Sequence, residues 1–156
     1  MKIRHPLFVG LVAAFAVSLA SVVSAVAADT PFKGTFNGVE TGETAFPIRS
    51  VTREGAGTAT YLGKYTSHLT GQINLLTRHA TGVETFTAAN GDTLTTTLEG
   101  DATPTTTPGV ISVVEVYTIT GGTGRFADAT GTFTLEIIVT QATGVSTGTF
   151  SGVIDH

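Results

Sequence analysis

From Phe32 to the end, the chain alternates between apolar or glycine positions and threonine or charged ones. A period of two residues is that of a β-strand with one face buried. Phe32 to Glu40 reads as a first strand, with Phe32, Gly34, Phe36 and Gly38 on one face and Gly42 ending it. Phe46 to Val51 is a short strand or edge segment broken by Pro47, and Glu54 to Gly57 reads as a turn. Thr58 to Tyr65 follows as a strand, with Gly63 marking a bulge. Ser67 to Thr77 puts Leu69, Gly71, Ile73 and Leu75 on one face, and Arg78 to Gly82 turns. Asn90-Gly91 joins Val83–Ala88 to Asp92–Glu99 as a hairpin, because Asn-Gly takes the positive backbone angles of a tight turn at low steric cost. Asp101 to Gly109, with two prolines, is a loop. Val110–Thr120, Thr130–Thr140 and Val145–Ile154 complete the set, with Gln141–Gly144 as the last turn.

Eight or nine strands with turns every 8–12 residues predict an all-β sandwich or barrel. An internal echo favours the barrel. Gly34-Thr35-Phe36-Asn37-Gly38 near the start matches Gly148-Thr149-Phe150-Ser151-Gly152 near the end, and Gly131-Thr132-Phe133 repeats its centre. Barrel closure brings first and last strands together, where the Phe side chains would stack in one layer. The alternative is a coincidence of Gly/Thr-rich composition.

The first 27 residues follow another pattern. Lys2, Arg4 and His5 precede an apolar run from Leu7 to Ala20, and Ala25-Val26-Ala27 has the small-x-small form of a cleavage site. The run is short for a membrane-spanning helix, which needs about 20 residues. Residues 1–27 are therefore expected to be a cleaved signal peptide and 28–156 a single domain, secreted or periplasmic, with no membrane association after cleavage. This mature chain carries six basic and twelve acidic side chains, a net charge of −6. An acidic chain without a basic cluster is a poor partner for nucleic acid or anionic lipid. With no cysteine, disulfides and thiolate zinc sites are excluded, and stability must come from burial and the hydrogen-bonded sheet.

The stretch Thr120-Gly121-Gly122-Thr123-Gly124-Arg125-Phe126-Ala127-Asp128-Ala129-Thr130-Gly131 resembles the glycine-rich turn shared by plant dirigent proteins and allene oxide cyclases. The wider chain looks like small exported bacterial proteins described as allene oxide cyclase barrel-like. That resemblance implies a calycin-like antiparallel barrel of eight strands. It also leaves a homo-oligomer open, since plant members form trimers. The cysteine that lines the cyclase pocket has no counterpart here. Physically, Gly121, Gly122 and Gly124 suit a tight turn, Phe126 could plug a barrel end, and Arg125 could pair with Asp128 or turn carbonyls. Neither a helix pattern nor a Lys-Ser/Thr pair follows the turn, so it does not read as a phosphate loop.

Glu115 is the first candidate for chemistry, sharing parity with Ile111, Val113, Tyr117 and Ile119. Three placements are open: in an apolar lumen as an acid or base, in solvent with Val110, Val114 and Val116 forming the inner face, or in a buried salt bridge to Arg125 or Arg78. Tyr61 and Tyr65, with Gly63 between them, share a face and could join Glu115 and Tyr117 in lining a ligand pocket. His68 and His79 stand on different segments without metal-ligand spacing, and no Gly-x-Ser-x-Gly elbow is present. No metal or cofactor is expected. The expectation is a non-catalytic exported barrel that takes a small apolar molecule in its lumen. The rivals are a cyclase or isomerase that confines a flexible substrate, and a surface or matrix protein working through a flat outer threonine array.

Overall fold

The computed structural model describes residues 30–156, and the expected signal peptide lies outside them. Eight antiparallel strands run as β1 (Thr30–Ala45), β2 (Ile48–Ala59), β3 (Gly63–Asn74), β4 (His79–Ala88), β5 (Thr93–Pro104), β6 (Val110–Gly122), β7 (Thr130–Thr140) and β8 (Val145–Asp155). Each strand pairs with its chain neighbours, and β1 pairs with β8, so the sheet closes into one barrel without an edge. The expected eight-stranded antiparallel barrel is what the chain forms.

Closure uses the repeated glycine–phenylalanine pieces. In the β1–β8 ladder Phe36 lies opposite Gly148, Gly34 opposite Phe150 and Phe32 opposite Gly152. Each ring thus enters the lumen over a position without a side chain. A Cβ on Gly34 would stand 2.6 Å from the Phe150 ring, and one on Gly55 would stand 2.5 Å from the Phe36 ring. Phe133 and Phe150 of the repeated pieces do share a layer, but the third ring in it is Phe32 rather than the expected Phe36, with centroids 5.0–5.2 Å apart. Phe36 sits one layer further along, under the Arg53 guanidinium at 5.0 Å.

Several segment boundaries differ from the sequence reading. Glu54 to Gly57 is not a turn: β2 runs through it, and Gly55 and Gly57 face the lumen beside Phe36 and Tyr65. The β2–β3 turn falls at 60–62, where Tyr61 takes a φ of +67°. β1 continues past Gly42 to Ala45, and β4 begins at His79, so the turn before it lies at 75–78. Glycine marked turns in the sequence, but in this barrel many glycines make room for inward aromatic rings. By contrast, Thr130–Thr140 is a strand as expected, β7, and its Phe133, Leu135, Ile137 and Val139 are buried.

The two ends differ. One carries the turns at 60–62 and 89–92 and the segment 123–129, together with both termini of the described chain. Here Gly124–Phe126 forms a single 3-10 turn and drops Phe126 into the barrel, fully buried. Gly124 has a φ of +58° and lies against the Asp92 carboxylate, so no other residue fits comfortably. The opposite end, ringed by the 46–47, 75–78, 105–109 and 141–144 connections, opens into a cavity.

Candidate functional site

Along β7 the inward side chains shrink from Phe133 through Leu135 and Ile137 to Val139 towards the open end. On β4 the series Ala88, Phe86, Glu84, Gly82, Ala80 likewise ends small. The space left over is a cup of about 810 Å³, within the range of small-molecule sites. Its walls include Val51, Leu69, Leu98, Val113, Ile137 and Val139. Glu40, Arg49 and Arg78 also line it, and Arg53 and Glu115 are its most deeply buried charged lining residues.

Below the cup, three strands deliver one buried polar cluster. Arg53 comes from β2, Glu84 from β4, and Glu115 and Tyr117 from β6, with exposures of 2%, 0%, 5% and 0%. The guanidinium grips Glu115 as a fork, Nη1 to Oε1 at 3.0 Å and Nη2 to Oε2 at 2.8 Å. Nη2 also reaches Glu84 Oε2 at 3.0 Å and the Tyr117 hydroxyl at 2.7 Å. The Tyr117 hydroxyl stands 2.6 Å from Glu84 Oε2 and 2.9 Å from Glu115 Oε2, so its single proton can go to either carboxylate. Arg53 Nε and Glu84 Oε1 have no hydrogen-bond partner among the described residues. Gly100, opposite Glu115, leaves space for this side chain: a Cβ there would stand 2.8 Å from Glu115 Cγ.

Two carboxylates thus share one guanidinium in a water-poor place, which is favourable only while all members are present. Burial alone would discourage charge on Arg53, but Tyr117, Glu115 and Glu84 together hold its pKa well above the ordinary arginine value. The Tyr117 phenol is pushed up, first by burial and then by the Glu115 and Glu84 charges. At the cup wall, burial raises the Glu40 carboxyl above its usual range, against the pull of Arg49 at 3.6 Å and of Arg53. The arrangement can hold a polar group at its floor and offers a carboxylate beside it.

Of the residues singled out in sequence, Glu115 and Tyr117 point inward and meet in this cluster. Val114 and Val116 face outward, which corrects the reversed-parity placement. Glu115 is salt-bridged, but its partner is Arg53 rather than Arg125 or Arg78. Tyr61 and Tyr65 do not join it. Tyr61 is 39% exposed in the turn at the closed end, against His156, because its left-handed backbone swings the side chain off the Tyr65 face. Tyr65 is buried at that same end, packing on Phe86 and Phe150, with its hydroxyl donating to the Thr35 carbonyl at 2.8 Å. Burial pushes its phenol pKa up. Arg125 stacks over Phe126 at 4.9 Å and lies 3.8 Å from Asp92, not Asp128. Gly121 and Gly122 end β6 before that turn. His68 and His79 pair with Glu54 and Asp101 away from the cup lining, and no group of three metal-ligand side chains occurs among the described residues.

Sequence reasoning missed Arg53 and Glu84. Both carry a legible signal: Arg53 alternates with Val51, and Glu84 with Phe86 and Ala88, so each is a charge in an inward row. Arg53 was obscured by reading the next four residues as a turn.

Comparison with family models, curated proteins and solved structures finds no match. The resemblance to dirigent proteins and allene oxide cyclases therefore stays an expectation read from the sequence of the turn Thr120–Gly131.

Proposed function

We infer that this is an exported barrel that binds a small, mostly apolar molecule in its open half and does not transform it. The observation that carries the reading is the cup of about 810 Å³, walled by aliphatic side chains and open at one end. Eight-stranded barrels either fill with side chains or hold one small ligand, and the lumen of this one opens into that cup at one end. The third reading, a flat outer threonine array, lacks comparable support. The row Thr41, Thr52, Thr70, Val83, Thr97, Thr118, Thr132 follows the ladders round the closed barrel, so it is curved rather than flat and is broken by Val83.

Binding is tested with the neutral fluorescent probe N-phenyl-1-naphthylamine on purified protein spanning residues 28–156. The probe should brighten and saturate at one site per chain. Val139→Trp, which fills the cup from its wall, should abolish the signal while the protein still melts cooperatively. A wild-type protein that does not brighten the probe sinks the reading.

One observation favours a second reading, a cyclase or isomerase. Glu115 and Tyr117 place a carboxylate and a phenol at the floor of a substrate-sized cavity. Under it, native mass spectrometry of Glu115→Gln from the host would find an unconverted compound where the wild type carries its product. The same bound mass in both proteins would leave simple binding.

A further inference from the structure

The fork between Arg53 and Glu115 has two edges. Nη2 and Oε2 face Glu84 and Tyr117, neither of which lines the cup. Arg53 and Glu115 do line it, so Nη1 and Glu115 Oε1 form the edge turned towards the cavity. Their mutual bond of 3.0 Å uses one of the two Nη1 hydrogens and one lone pair of Oε1. No other hydrogen bond among the described residues uses what is left on either atom. The floor therefore offers one donor and one acceptor side by side, in an environment where two carboxylates already face one guanidinium.

We propose that the cup selects a neutral alcohol, with the hydroxyl seated on the Nη1–Oε1 edge and the apolar body against the aliphatic walls. This rests on the reading that the cup binds a small molecule. A hydroxyl oxygen accepts from Nη1 while its hydrogen goes to Oε1, so one group completes both partners. A carboxylate brings no hydrogen for Oε1 and adds a third negative charge to the floor. An ammonium brings no lone pair for Nη1 and sets a second cation beside the guanidinium. An ether or ketone satisfies Nη1 alone.

The test is displacement of N-phenyl-1-naphthylamine from the 28–156 protein at neutral pH by 1-decanol, decanoate, decylamine and decyl methyl ether. Decanol is expected to displace the probe at a concentration about tenfold or more below the other three, the gain of a hydrogen bond to a charged partner. The ether is the sharpest control, since it is more apolar than the alcohol and keeps the acceptor. An ether that competes as well as decanol overturns the proposal. So does a lead for decanoate, which would assign recognition to the arginines lining the cup, or for decylamine, which would assign it to the net charge. Glu115→Gln removes one negative charge with little change of shape. It should narrow the decanol-to-decanoate preference about tenfold, and an unchanged preference would mean plain hydrophobicity. If Glu115→Gln does not fold, the ether comparison on the wild type still decides. Probe that binds but yields to none of the four overturns the proposal alone, whereas no probe binding removes the cup reading itself.

Discussion

In the closed half of the lumen, Phe32, Phe86, Phe133 and Phe150 meet edge to face or tilted, and Phe126 seals the end. In the open half Val51 of β2, Leu69 of β3, Val113 of β6 and Ile137 and Val139 of β7 turn inward and leave a cavity between them. The Arg53–Glu84–Glu115–Tyr117 cluster lies between the two. The strands continue through both halves with regular pairing, apart from one register shift between Thr95 and Thr96. A filled and a hollow lumen therefore do not require different sheets. Side-chain size along inward rows such as those of β4 and β7 decides which half is which, and the filled half can supply the packing energy that lets the other remain open.

That division implies a ranking of substitutions. The largest loss is expected at the boundary: Arg53→Met leaves Glu84 and Glu115 buried without their cation, at a cost of about 3–5 kcal/mol. A urea titration should show a matching drop in midpoint, and a loss below about 1 kcal/mol would mean the carboxylates are not compensated by Arg53.

The direct comparison of halves comes next. Phe133→Ala should cost about 3–5 kcal/mol, because the rings around it cannot collapse into the gap. Ile137→Ala, on the wall of a space that already exists, should cost less than about 2 kcal/mol, since it opens little new cavity. Equal losses by denaturation would indicate that the open half is packed in solution.

The smallest effect is at Glu40. Its folded-state pKa is raised, chiefly by burial, so ionisation is harder in the folded than in the unfolded chain. Its contribution is then favourable in acid and is lost as pH rises through the folded value. Glu40→Gln should raise the melting temperature slightly at neutral pH, a change smaller than any of the losses above. The gain should vanish below the ordinary carboxylate range. A gain that persists there would point to packing rather than charge.

Much of the fold was legible because a strand's alternation is a local property. Phe133, Leu135, Ile137 and Val139 on β7, and Leu94 and Leu98 on β5, announce their buried face without reference to any other strand. The matched Gly-Thr-Phe pieces announced closure, because a ring and a glycine in register fit one another across β1 and β8. Turns were read less well: inward glycines such as Gly55 and Gly57 look the same in sequence as turn glycines. Of the candidate site, parity put Glu115 and Tyr117 on one face but left open whether that face is the inner one, whereas Tyr61 and Tyr65 were grouped by a parity that the left-handed turn at Tyr61 breaks.

By itself, then, the sequence determined an all-β chain whose strands alternate between two faces, with a Gly-Thr-Phe echo that links its last strand to its first. Alternation states which face a residue takes but not how far along the barrel axis it lies. That height depends on strand tilt and on the registers of all eight ladders together. Only the closed barrel brings Arg53 level with Glu84, Glu115 and Tyr117, 31, 62 and 64 residues away along the chain. It alone separates an aromatic end from an empty one.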